Sequence, residues 1–209
     1  MDSKLGEINV LWIDDQYENF PLRDLATDRG IILDPYKSRE SGINAFTDNP
    51  SKYDAILLDA CILNKENDLS ETAHSKYSLQ SIIEIQKTDK FMPIFVLSGN
   101  PKGVVEDNYE TILGELLGES YYKKYTDEEV VLNRIKESVI NHSKYRFKLE
   151  YPKIYKLIDQ KILDNISFDR LAVFNDLVSR NSELEFEVTD IRKMIEDLLS
   201  YLCNINYLP

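Results

Sequence analysis

At 209 residues with 43% apolar side chains, the chain can bury a real core, either as one domain with an appendage or as two small domains. Its 37 acidic against 25 basic residues leave a net charge of −12, which repels phosphate backbones and argues against direct DNA binding. Two cysteines, Cys61 and Cys203, make no disulfide framework or metal-ligand spacing. No run approaches the roughly 18 apolar residues of a membrane span, and MDSKLGEINV lacks a basic stretch followed by a long apolar core, so a cytoplasmic protein is expected.

In chain order, Ile8 to Ile13 reads as a buried strand that ends in Asp14 and Asp15. Residues 20 to 28 and 39 to 49 read as helices, with Ile31 and Ile32 between them a poor second strand before Pro35. Ala55 to Leu58 is a second apolar run of strand length and ends in Asp59. A polar, acidic stretch follows, NKENDLSETAHSKYS, before a helix over Leu79 to Lys87. Ile94 to Leu97 is the next strand and ends in Ser98, Gly99 and Asn100. There is room for an extra turn around Asn108 to Glu119. Tyr121 and Tyr122 then make a short strand followed by Lys123 and Lys124. Thr126 with Glu129 reads as a capping box for a helix holding Val131, Leu132, Ile135 and Val139, which is expected to run past 142 without a flexible linker.

From about 143 onward the pattern is helical. Pro152 starts a helix through Leu163, Ser167 caps one through Val178, and Thr189 to Leu202 forms another. Each has one apolar face, which suits a small bundle or an oligomerisation surface. Tyr145, Phe147, Tyr151 and Tyr155 interleave with the basic residues from Lys144 to Lys161. That arrangement suits nucleic acid, but the buried seam of a helix is the favoured reading. The apolar pattern continues nearly to Pro209, so the sequence leaves open whether the extension is truncated. The expected domains are 1–142 and 143–209. Residues 1–136 carry −10 of the net charge. His74 and His142 stand far apart without a motif, and both are read as non-functional.

A strand ending in an acid places a carboxylate at the carboxyl edge of a parallel sheet, where open α/β folds keep their ligands. Asp14, Asp15, Asp59, Ser98 and one of the two lysines would meet at one rim. Alternation lets only one of Lys123 and Lys124 reach it. Crowded carboxylates raise each other's pKa unless a cation intervenes, and Mg²⁺ accepts a few carboxylates plus phosphate oxygens. Phosphoryl transfer to a carboxylate needs this set: an ionised nucleophile, a metal, a hydroxyl and an ammonium.

On these residues, 6 to about 142 resemble the receiver domain of two-component response regulators. The resemblance implies a flavodoxin-like, doubly wound, five-stranded parallel sheet of receiver type followed by an α-helical extension. It implies Asp59 as phosphoacceptor, with Asp14, Asp15, Asp59 and the backbone carbonyl of Cys61 as ligands for Mg²⁺. Ser98 and Lys124 would bind the phosphoryl oxygens, and Ser98 and Tyr121 would form the switch. The family spacing of an aromatic, two residues and a lysine selects Lys124. Cys61 and Asn100 fall at rate-tuning positions, and since neither is acidic, a phosphoryl lifetime no shorter than typical for the family is expected.

The implied partners are a histidine kinase or phosphotransfer protein upstream, and a protein partner or a second copy of the chain downstream. The chain is then a signalling phosphoacceptor rather than an enzyme, with autophosphorylation from small donors and self-dephosphorylation as side reactions. Two departures stand out. The stretch after Asp59 is longer than usual, and Tyr125 follows the lysine where the family has a cis proline, so a cis bond is not expected there. The alternative is a receiver-like interaction module that acts without phosphorylation. A phosphatase of the haloacid dehalogenase type would need Asp-x-Asp, whereas Asp14 and Asp15 are adjacent and Gln16 follows.

Overall fold

Three strands, β1 (Ile8–Ile13), β3 (Ala55–Asp59) and β4 (Ile94–Ser98), are buried almost throughout, as parallel strands covered on both faces must be. β2 (Ile31–Tyr36) and the two-residue β5 (Tyr122–Lys123) complete a five-stranded sheet in the order β2-β1-β3-β4-β5, with every pair parallel. This computed structural model describes residues 7–89, 92–99, 108–118, 121–151 and 171–172. The chain divides into two compact units, Met1–Val139 and Ile140–Pro209.

Among the described residues, the α-helices that flank this sheet are α1 (Leu22–Thr27), α2 (Arg39–Asp48), α3 (Ser75–Thr88), α4 (Tyr109–Leu117) and α5 (Glu128–Asn141). Side chains alternate along a strand. Leu11, Ile13, Ile56, Leu58 and Val96 therefore share one face, where they pack with Phe46 of α2, Ile82 and Ile85 of α3, and Tyr109 and Leu113 of α4. A Cβ on Gly42 of α2 would lie 2.4 Å from Ile13 Cδ1, so any side chain there would have to displace the buried Ile13 of β1. The intervening residues Val10, Trp12 and Leu57 point to the opposite face, and α1 and α5 bury Leu22, Ala26, Val131, Leu132, Ile135 and Val139.

Three local expectations change. β2 continues through Pro35, which is tolerated because β2 is an edge strand and the missing N–H costs no ladder bond on its open side. The last helix of the first unit begins at Glu128, two residues after Thr126. Asp127 accepts from Lys123 N at 2.8 Å and Glu128 accepts from Tyr125 N, while Glu129 pairs with Arg29. Acids thus tie the preceding turn to the helix start, in place of the predicted capping box. Finally, α5 stops at Asn141. His142 is extended (φ −74°, ψ 129°), and a separate helix, α6 (Ser143–Glu150), follows in the second unit. On α6, Tyr145 and Phe147 are buried. The helices expected from Pro152 onward lie outside the described residues apart from Leu171 and Ala172, which are helical.

Candidate functional site

The carboxyl edge of the sheet gathers side chains that lie up to 110 residues apart in sequence. β1 ends in Ile13, so Asp14 and Asp15 leave the sheet at its rim, and Asp14 N donates to Tyr36 O of the neighbouring strand. Asp59 is the last residue of β3 and Ser98 the last of β4; both are buried. Lys124 follows β5, and its backbone N donates to Ser98 O at 2.9 Å. That bond anchors the root of the lysine beside the serine. Lys123 is exposed.

Oxygens of Asp14, Asp15 and Asp59 lie within 4.8 Å of one another. Lys124 Nζ lies 2.8 Å from Asp14 Oδ2 and donates to Asp59 Oδ2, so one ammonium bridges two of the three carboxylates. Gln16 N donates to Asp14 Oδ1 at 2.9 Å, and Cys61 N donates to Asp59 Oδ1 at 3.2 Å. A Cβ on Gly99 would stand 3.3 Å from Lys124 Cδ, so the absence of a side chain there leaves the lysine its path. Lys124 Nζ also sits 5.5 Å from the centre of the Phe20 ring, which packs edge-on against Trp12 and Tyr125.

The electrostatics follow from crowding. Burial, then the charge of Asp14, push Asp59 up to about 7, against the pull of Lys124 and the Cys61 N–H. Burial and the Asp14 charge likewise raise Asp15, against Lys124 and Lys37. Burial alone would lower Lys124, but the charges and hydrogen bonds of Asp59 and Asp14 win and raise it. One cation is too little for three carboxylates. A set of hard oxygen donors short of positive charge is what Mg²⁺ fits.

A cavity of about 710 Å³ opens over these groups. It is lined by Asp15, Asp59, Cys61, Ser98 and Lys124 from the sheet edge and by Ser70, Glu71 and His74 from the segment before α3. The second set was not anticipated from sequence. Its signal was the length of the polar stretch after Asp59. Tyr121 is half-buried and packs against the core. Tyr125 lines the cavity in a left-handed conformation (φ 67°), which non-glycine residues adopt only at a cost. No cis peptide bond occurs among the described residues. Asn100 lies outside them.

Fold and site together define a class. This is a flavodoxin-like doubly wound domain, with its acids and lysine at the β1/β3 switch point where such sheets bind ligands. No family model matches the chain, and no curated protein does. Among solved structures it is similar to a response regulator receiver domain protein from Clostridium thermocellum, at 19% identity and a TM-score of 0.48, over 64% of this chain and 94% of that one. It is also similar to a receiver domain protein from Methanospirillum hungatei (14%, TM-score 0.49, 65% and 95%). A third is the response regulator TrrA from Thermotoga maritima in complex with Mg(2+)-BeF (18%, TM-score 0.46, 63% and 98%). No described helix is long and apolar enough to cross a membrane.

Proposed function

We propose that the chain is a response regulator receiver protein that accepts a phosphoryl group on Asp59 with Mg²⁺ and signals through protein-protein interaction. The observation that carries this reading is the bridge of Lys124 between Asp14 and Asp59 at the floor of a cavity that Ser98 also lines. Asp14, Asp15, Asp59 and the Cys61 carbonyl would hold the metal, which when bound would neutralise the carboxylates and the phosphoryl oxygens. An Asp59 oxygen forms the new bond to phosphorus as the bond to the donor's leaving atom breaks. Lys124 then exchanges a carboxylate for a phosphoryl oxygen, and Ser98 donates its hydroxyl to another. Positioning and charge do this work, with no general base.

Ser98 drawn toward the phosphoryl group would vacate space that the Tyr121 ring can enter. The charge event would thereby bias a two-state element. A histidine kinase or phosphotransfer protein is the proposed donor, and a protein partner or a second copy of the chain the proposed reader. Residues 1–142 are the proposed receiver part and 143–209 its extension. Retained response of partner binding or oligomeric state in Tyr121→Ala would exclude the switch while leaving the acceptor reading intact.

The direct test is intact mass after incubation with a small phosphodonor and Mg²⁺, with Asp59→Asn in parallel. A phosphate-sized increment that needs Mg²⁺ and is absent from the variant is expected. No increment from any donor, with Mg²⁺ binding established separately, would leave the phosphorylation-independent interaction module as the better reading.

A further inference from the structure

The segment between β3 and α3 is built into the domain. Ile62 and Leu63 are fully buried, and Leu63 bridges Ser38 in parallel while Ile62 bridges His74 in antiparallel fashion. Arg39 N donates to Leu63 O at 2.8 Å and Glu40 N to Asn64 O at 3.0 Å, which stitches the segment to the start of α2. The Arg39 side chain then reaches Asn64 and pairs with Glu84 of α3. Asp68 closes a turn onto Lys65 N, Leu69 leads into a single 3-10 turn over Ser70–Thr72, and His74 caps α3 by accepting from Lys76 N at 3.1 Å. Both ends are therefore fixed. The turn between them places Glu71 on the wall of the cavity over Asp59.

We propose that Glu71 is a specificity-determining residue that favours nitrogen-linked phosphodonors over acyl phosphates. The proposal rests on the reading of Asp59 as phosphoacceptor. In an in-line transfer the leaving group departs on the side of phosphorus opposite Asp59 and so into the open cavity that Glu71 also lines. When the leaving atom is a nitrogen, the leaving group enters the reaction cationic, with its proton on that nitrogen in phosphoramidate and on the other ring nitrogen in a phosphorylated imidazole. The P–N bond breaks, nitrogen keeps the electron pair, and the group leaves neutral. When the leaving atom is an acyl oxygen, the P–O bond breaks and a carboxylate anion leaves. An anionic wall favours the cationic leaving group of the first donor and opposes build-up of negative charge on that of the second. Glu71 is exposed, so its influence acts through water, is modest and falls with salt.

Phosphoramidate and acetyl phosphate are the probes, each with Mg²⁺ and the full-length chain, with labelling of Asp59 followed by intact mass. Glu71→Gln should raise the acetyl phosphate rate about threefold relative to the phosphoramidate rate, and Glu71→Lys about tenfold, both effects shrinking at high ionic strength. Glu71→Asp should keep the wild-type ratio. An unchanged rate ratio in Glu71→Lys, or one insensitive to salt, overturns the role of Glu71 while leaving Asp59 as acceptor. Failure of both donors to label wild-type Asp59 would instead overturn the acceptor reading and this inference with it.

Discussion

Two aspartate-lysine pairs sit on the same sheet, one on the edge strand β2 and one at the carboxyl rim, and their carboxyl groups are shifted in opposite directions. Asp34, on the edge strand β2, accepts from Lys52 Nζ at 2.5 Å, Tyr53 OH at 2.8 Å and Tyr36 OH at 3.1 Å. Burial alone would raise it, but the bonds from Lys52 and Tyr53, the Lys52 charge and the Tyr36 hydroxyl hold it below the usual carboxylate range. Asp59 also has a lysine, yet burial and Asp14 push it up to about 7. The difference lies in what else surrounds the pair. Asp34 has neutral donors, so its charge is satisfied and structural; Asp59 has another anion, so its pocket is left short of cations.

The comparison breaks most visibly if the lysines are exchangeable. Lys124→Met would leave three close carboxylates without a cation, and truncating one partner of a buried pair costs about 3–5 kcal/mol. We expect a loss of that order in urea denaturation at pH 8 with EDTA, smaller at pH 6, where the carboxyls take up protons. Equal losses at both pH values would mean that the lysine acts by packing alone.

The next largest effect concerns Asp59 itself. Its folded pKa, about 7, lies above the unfolded value of about 3.9, so its protonated form contributes stability that is complete below pH 4 and lost as pH rises through 7. In EDTA, the stability of Asp59→Asn relative to wild type should therefore rise between pH 5 and pH 8, by on the order of 2–4 kcal/mol. Saturating Mg²⁺ should shrink the difference, since a ligand of the folded state alone adds about 2.7 kcal/mol at a hundredfold excess over Kd. Trp12, the single tryptophan, packs against Phe20 near Lys124 and offers a fluorescence signal for that titration. A pH-independent difference would remove the electrostatic distinction between the two acids.

Removing one neutral donor from the other site tests its satisfied character. Tyr53→Phe deletes the 2.8 Å bond to Asp34 and should cost about 1 kcal/mol of stability, with no change in Mg²⁺ binding or phosphorylation. Because Asp34 is depressed, its contribution is present at neutral pH and is lost as pH falls through its folded value, the reverse of Asp59. A changed labelling rate in Tyr53→Phe would show that the edge cluster communicates with the pocket.

The legibility of these features in sequence tracks how local their causes are. Strands that end in acids, and a serine and a lysine behind two further strand-like runs, announced the sheet edge, because an apolar run of strand length fixes where its last residue emerges. Alternation and the family spacing select Lys124 over Lys123, and the structure places Lys124 against Asp14 and Asp59. β2 was hard to read because Pro35 argues against a central strand, and only the strand order reveals that it lies at an edge. Glu71 and His74 were illegible as cavity residues. Their position depends on backbone bonds from Arg39 and Glu40, which are distant in sequence and carry no side-chain signature. The break at His142 has no local signature, because its neighbours are helix-compatible and no proline or glycine marks it.

The smallest expected effect discriminates most finely between the two pairs. Lys52 is raised mainly by its hydrogen bond to Asp34, which outweighs its loss of solvation. Its side chain is nonetheless 47% exposed, against 6% for Lys124. Water already screens the Lys52 pair, and Tyr53 and Tyr36 remain to satisfy Asp34 when the lysine is gone. Lys52→Met should therefore cost only about 0.5 kcal/mol, and salt should abolish even that. The same substitution at position 124 is expected to cost several times more and to respond weakly to salt, because its partners are buried and have like charges for neighbours. If Lys52→Met proved as costly as Lys124→Met, the contrast would have to come from something other than burial and neighbouring charge. The elevated pKa of Asp59 would then no longer single out its pocket as the site that needs a second cation.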